Sequence, residues 1–287
     1  MQITAVVRKL CQILKRILVP TDFTAASNSV FPCATTIAQA FGGKLFLLHV
    51  MPPASVKEPE RLGDFPPLES FIHANLDKDF NPPLQPELPL TKLYLYDRST
   101  PRMIADVAKE RKMDLICMAA TSQRADLTWW SAGKTVESVI EHAPCSVLCL
   151  RGQPIKEKDW KRPVFRHIAL LTELGPQREA LIERVIPWVN RFNSILHIFP
   201  MESGRHTESG EQTALRELCQ LQDINANVLL FSDPKNRMQN LINFVNETSV
   251  DLIVITPRTR ARFSNFLVSD IFVRLMRMAK CPVLLVR

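Results

Sequence analysis

Seven cysteines and six histidines are the side chains best suited to metal or nucleophilic chemistry, and their spacing argues against both. No two cysteines form a CxxC pair. Cys11, Cys33, Cys117, Cys145, Cys149, Cys219 and Cys281 mostly lie in apolar runs, as reduced core thiols do. Cys145 and Cys149 stand four apart around an expected strand and can face one side, but no histidine or carboxylate set accompanies them, so no metal is expected. No Ser–His–Asp or Cys–His set assembles at a recognisable spacing, and no catalytic residue is expected. Phosphate chemistry is discouraged as well. Eight glycines in 287 residues is well under half the average usage of about 7%, which leaves little material for phosphate-cradling loops. The net charge is +7, and the run Arg258–Lys280 holds six basic residues and one acid. That run reads either as an anion-facing patch or as a solvated face. Without a recognisable nucleic-acid reader motif the solvated face is the simpler reading, and nucleic acid is not an expected partner.

The elements that would have to position a site come in two sets. Arg16-Ile-Leu-Val-Pro-Thr-Asp22 resembles His167-Ile-Ala-Leu-Leu-Thr-Glu173, and Leu47-Leu-His-Val-Met-Pro52 resembles Ile195-Leu-His-Ile-Phe-Pro200. Met113–Met118 and Ala143–Arg151 recur as Val250–Ile255 and Ala279–Arg287, in the same order, which a duplication explains. The repeat pairs His49 with His197 as structural residues. In the first copy strands are expected at about 16–20, 44–50, 91–96, 114–119 and 146–150, with helices near 25–41, 67–80, 100–111 and 134–142. The second copy repeats strands at about 167–171, 194–199, 227–231, 251–255 and 282–286. Strands apolar throughout belong in a parallel sheet covered on both faces, so each copy is a doubly wound α/β unit. Domain boundaries fall at 1–151 and 166–287, with a polar, proline-bearing connection at 152–165.

Two further segments frame these units. Nine of the 21 prolines lie between Met51 and Pro89, marking a surface insertion after the second strand. Ile3, Val6, Val7, Leu10, Ile13 and Leu14 recur at helical spacing, which suggests a short amphipathic helix docked on the body, with a membrane-surface role as the alternative. No membrane span and no secretory leader is evident, so a cytoplasmic protein with no membrane partner is expected.

The strings ILVPTDF at Ile17–Phe23, LFLLHV at Leu45–Val50, MDLICM at Met113–Met118 and HAPCSVLCLR at His142–Arg151 resemble the universal stress protein family. DLIVIT at Asp251–Thr256 and AKCPVLLVR at Ala279–Arg287 resemble a diverged second member. The resemblance implies tandem Rossmann-like units, each a five-stranded parallel sheet with helices on both faces. It also implies an internal pseudo-dimer joined through Val147–Leu150 and Val283–Val286; a further homodimer stays open. Many members bind ATP at the carboxyl ends of the strands and act in stress survival, as nucleotide-responsive regulators or binding proteins.

Family ATP binders share a loop of the form G-x2-G-x9-G-[ST] after the fourth strand. Its glycines let backbone N–H groups approach phosphate, and the helix that follows points its positive end there. In the first copy Ala119 and Ser122 stand at the first two glycine positions and ten residues separate Ser122 from Gly133. Lys134 takes the Ser/Thr position and Thr135 follows it. The resemblance places Asp22 at the base and ribose and Val50 where a backbone group reads adenine. Asp22 reads equally as a helix cap or turn acceptor. The nucleotide-binding set is then Thr21, Asp22, Val50, Ala119, Ser122, Gly133, Lys134 and Thr135, for ATP with Mg. In the second copy every glycine is gone from Thr256–Ser269, Pro257 removes a donor, and Asp270 at the helix start would repel phosphate, so no cofactor is expected there. Trp129 and Trp130, in the first loop, would pack an interface or cover the site. The expected function is a tandem stress-response protein binding nucleotide at most in its first unit, with at most feeble ATP hydrolysis. The alternatives are a nucleotide-free interaction module and an enzyme of the wider adenine-nucleotide α-hydrolase group.

Overall fold

The computed structural model describes residues 14–51, 88–120, 134–152, 161–172, 178–200, 213, 217, 219–220, 224–229, 236–255 and 266–287. The chain alternates strand and helix: β1 (Arg16–Pro20), α1 (Ala25–Asn28), α2 (Phe31–Phe41), β2 (Lys44–Met51), β3 (Leu90–Tyr96), α3 (Thr100–Glu110), β4 (Leu115–Ala120), α4 (Lys134–His142) and β5 (Ser146–Arg151). The second half follows with β6 (His167–Thr172), α5 (Arg178–Phe192), β7 (Ile195–Pro200), β8 (Ala226–Val228), α6 (Arg237–Glu247), β9 (Leu252–Ile255), α7 (Phe266–Met278) and β10 (Val283–Leu285). All strands join one ten-stranded sheet in the order β3-β2-β1-β4-β5-β10-β9-β6-β7-β8. Every neighbouring pair is parallel except β5 and β10, which run antiparallel.

The strands are apolar throughout because both faces are covered. Ile17 and Val19 face a core that holds Phe31, Ala34 and Ile37 of α2 and Val185 and Val189 of α5, while Leu18 faces Val107, Val139, Leu241 and Phe272 of the other helices. Each core runs across the junction of the two halves. Phe165, inside the expected connection at 152–165, is fully buried and packs edge-on against Trp188 and Phe192.

The halves are related by an approximate two-fold that the register makes explicit. Leu148 pairs with Leu284, and on either side Cys149 pairs with Val283 and Val147 with Leu285. This is the edge-to-edge joint expected from Val147–Leu150 and Val283–Val286. An equivalent clasp recurs in each half: Asp114 accepts from the backbone N–H groups of Lys15 and Arg16 at 2.8 and 2.9 Å, and Asp251 accepts from those of Arg166 and His167 at 2.8 and 2.9 Å.

Register corrects one sequence pairing. Arg16 pairs with Lys44 and His167 with Ile195, so the first two strands of both halves keep one offset, 151 residues. That offset makes His197 the counterpart of Phe46, and His49 that of Pro200. The strings Leu47-Leu-His and Ile195-Leu-His look alike but are three residues out of step. At the true equivalent positions the Arg16 guanidinium lies 5.3 Å from the Phe46 ring centroid, and His167 stacks on His197 at 5.5 Å.

The expected helix 25–41 is broken in two. Pro32 lacks an N–H and its ring collides with the carbonyl four residues back, that of Asn28, so α1 ends there and α2 starts afresh. The expected strand 227–231 is described only as β8, Ala226–Val228. The segments 1–13, 52–87 and 121–133, where an N-terminal helix and a helix near 67–80 are expected and where Trp129 and Trp130 fall, lie outside the described residues. The six described cysteines are free; five are buried and Cys281 is partly so, as expected of core thiols. No group able to hold a metal occurs among the described residues, and no helix among them is long and apolar enough to cross a membrane.

Candidate functional site

In the first half the strand order changes direction between β1 and β4. The connection leaving β1 packs α2 on one face of the sheet, and the one leaving β4 packs α4 on the other. Such a switch point opens a crevice at the carboxyl ends of the two strands. Leu18 pairs with Ile116, and the same register sets Thr21 level with Ala119; on the other side Pro20 pairs with Leu48, which sets Asp22 level with Val50. Thr21, Asp22, Val50 and Ala119 therefore gather at one edge. Lys134, exposed, and Thr135, half-buried, open α4, whose N-terminal end faces the same edge because α4 returns antiparallel to β4 and β5. Ser122 and Gly133 lie outside the described residues.

The turn after β1 is a dense hydrogen-bonded knot. Thr21 is buried; its Oγ1 donates to Asn28 Oδ1 at 3.1 Å and accepts from the Phe23 N–H at 2.9 Å. Asp22 Oδ1 accepts from the Thr24 N–H at 3.0 Å and from its hydroxyl at 2.7 Å, while Thr24 caps α1 by accepting from the Ser27 N–H. Asp22 is thus a turn acceptor, and Thr24, which sequence reasoning passed over, is the cap. Burial works to raise the Asp22 carboxyl, but donors on Ser27 and Thr24 outweigh it and hold the group below its ordinary range. At this edge Asp22 is an exposed, ionised acceptor.

Two further residues complete the edge. Phe23 sits at φ 60°, the left-handed region that bulky side chains rarely adopt. Its ring centroid lies 5.1 Å from that of His49. His49 Nδ1 lies 2.7 Å from the Thr21 carbonyl; a carbonyl only accepts, so the proton is on Nδ1. Neither residue was singled out for the site from sequence; the Asp22-Phe23 string was the available signal.

The second half has the same switch point between β6 and β9. Thr172 ends β6 buried, and Glu173, Thr256 and Thr259 lie outside the described residues. Helix α7 opens at Phe266, so Ser269 and Asp270 lie in its first and second turns. Asp270 is thus four residues into the described helix rather than at its start, where the sequence reading placed it.

A family model described as the universal stress protein family matches residues 14–151 and 174–287. The chain belongs to the universal stress protein family. Among solved structures it is similar to a universal stress protein from Archaeoglobus fulgidus, at 14% identity and TM-score 0.70, over 97% of this chain and 98% of that one. It is likewise similar to a putative universal stress protein from Pseudomonas aeruginosa, at 12% identity and TM-score 0.67, over 97% and 94%. The cytoplasmic domain of a prokaryotic cation chloride cotransporter shares the fold at 12% identity and TM-score 0.50, over 94% of each chain. No curated protein matches the sequence. A shared fold does not fix function, so function must be argued from the site.

Proposed function

We propose that this universal stress protein binds an adenine nucleotide, ATP with its Mg, in its first unit, and acts in stress responses as a regulator or binding protein rather than as an enzyme. The observation that carries the reading is the convergence of Asp22, Val50 and the start of α4 on one switch-point edge of the sheet. There Asp22 would take a ribose hydroxyl or base amine, the backbone at Val50 would read the adenine edge, and Lys134 and Thr135 would meet phosphate at a helix N-terminus. Ser122 in place of glycine costs the loop on the order of 1 kcal/mol wherever a positive φ is needed, whereas Ala119 is extended within β4 and carries no such cost, so the site is weakened without being closed. The second unit carries no nucleotide in this reading. The units divide as 1–151 and 166–287, and the cytoplasm is the proposed location.

Isothermal titration with ATP and Mg tests it. The wild-type chain binds, and Asp22→Ala weakens binding by about tenfold, the equivalent of ~1.4 kcal/mol. Binding heat that ignores the substitution removes this site. One observation favours a second reading, a nucleotide-free interaction module: Asp22 Oδ1 is already taken twice by Thr24. Absence of any heat with ATP, ADP or AMP would establish that reading instead.

A further inference from the structure

The far ends of the two helices that open on the candidate site are held by the other half of the chain. Helices α2 and α4 both start at the carboxyl edge of the first half-sheet and finish at the opposite edge. A helix end presents unpaired carbonyls and the negative pole of the helix dipole. Arg287 donates from Nη2 to the Ile140 carbonyl and from Nη1 to the Ala143 carbonyl at 2.8 Å, and its backbone N–H donates to Ser146 Oγ at 3.1 Å. Arg191, on α5, donates from Nε to the Ala40 carbonyl in the last turn of α2. Arg162 donates from Nη1 to the buried Gln39 side chain at 2.6 Å.

Arg191 and Arg287 of the second half, with Arg162 of the connection, therefore grip two helices of the first. The 151-residue offset makes Ala40 the counterpart of Arg191, so that grip runs in one direction only. Both Arg191 and Arg287 give up water to make these contacts, and Arg287 Nε is buried without a partner. A plain apolar contact would avoid that desolvation cost. What the guanidinium groups supply and an apolar group does not is a cation and a directed fork on helix carbonyls.

We infer that Arg287 is a positioning residue for the phosphate-facing end of α4, with Arg191 doing the same for α2, and that the second unit serves the first as a built-in clamp. The inference rests on the nucleotide reading above. By fixing the last turn of α4, Arg287 limits fraying and tilting of the nine-residue helix whose first two residues are Lys134 and Thr135. The clamp therefore acts on phosphate binding and not on the base and ribose contacts made from β1 and β2.

The test compares the full-length chain with Arg287→Met and Arg287→Lys, using titration with ATP and with adenosine, and amide exchange of residues 134–142. Arg287→Met is expected to weaken ATP by about fivefold or more, leave adenosine unchanged, and speed exchange in α4. Arg287→Lys, which restores the cation, recovers part of the ATP affinity. Equal weakening of ATP and adenosine would reveal a merely structural role and overturn the inference, as would unchanged ATP affinity. If the wild-type chain binds neither ligand, the nucleotide reading fails by itself and exchange alone decides the clamp: unchanged exchange in α4 overturns it. Arg191→Met, remote from α4, provides the second variant, expected to speed exchange in 31–41 while sparing 134–142.

Discussion

At the scale of single residues, His197 is the clearest liability in the molecule. It is buried in β7, its Nε2 lies 3.2 Å from His167 Nδ1, its Nδ1 has no partner, and the Phe244 ring stands against it. Burial first, and the neighbouring His167 second, lower its pKa. The unfolded chain then binds the proton more readily than the folded one. The folded state accordingly loses stability as pH falls from about 6.5, the unfolded value, through the lowered folded value. The equivalent residue in the first half is Phe46, which shows what the position accepts. His197→Phe is expected to flatten the acid side of the stability profile and raise the melting temperature at pH 5 relative to wild type. Melting scans at pH 5 and 7.5 check this; an unchanged difference between the two would clear His197. Asp22 behaves oppositely: its donors favour the charged form, and it stays ionised across that range.

At the scale of elements, the shortage of glycine shows in how helices hand over to strands. Four turns of the fold use a left-handed residue after a helix: Gly42 after α2, Lys112 after α3, Asn193 after α5 and Ser249 after α6. Each is closed by a backbone bond back into its helix, from Gly43 to Ala38, Met113 to Ala108, Ser194 to Val189 and Val250 to Val245. Only the first uses glycine, and its neighbour Gly43 is required as well, since a Cβ there would meet the Leu14 carbonyl oxygen at 2.4 Å. Lys112→Gly and Ser249→Gly should each stabilise by up to about 1 kcal/mol, read as a higher denaturant midpoint at constant slope. These turns also show what a sequence discloses. The strands were legible because burial on both faces leaves no polar alternation, whereas the break at Pro32 was missed by a reading that ran one helix over 25–41. The pairing of His49 with His197 went astray because similar apolar strings outweighed the helix length that sets the register. The arginine contacts of α2 and α4 were not legible at all, since Arg191 and Ala40 are brought together only by the joint between β5 and β10. The candidate edge was half legible: the placing of Asp22 and Val50 follows from strand ends, whereas Thr24, Phe23 and His49 needed the turn geometry.

At the scale of the whole molecule, the duplication has produced one body with unequal halves. Both cores cross the central joint, and the second half lends Arg191 and Arg287 to helices of the first. Leu148 facing Leu284 at the centre of an antiparallel ladder has the form of a two-fold contact between separate subunits. Here the subunits share a chain, so assembly is a unimolecular event with no dissociation constant to satisfy. The chemical-unfolding midpoint should stay fixed over about a hundredfold dilution, and a midpoint that moved would reveal pairing between chains. A protein built this way keeps its paired form at the lowest copy number a cell makes. The second half can then drift in sequence without ever losing its partner to dilution.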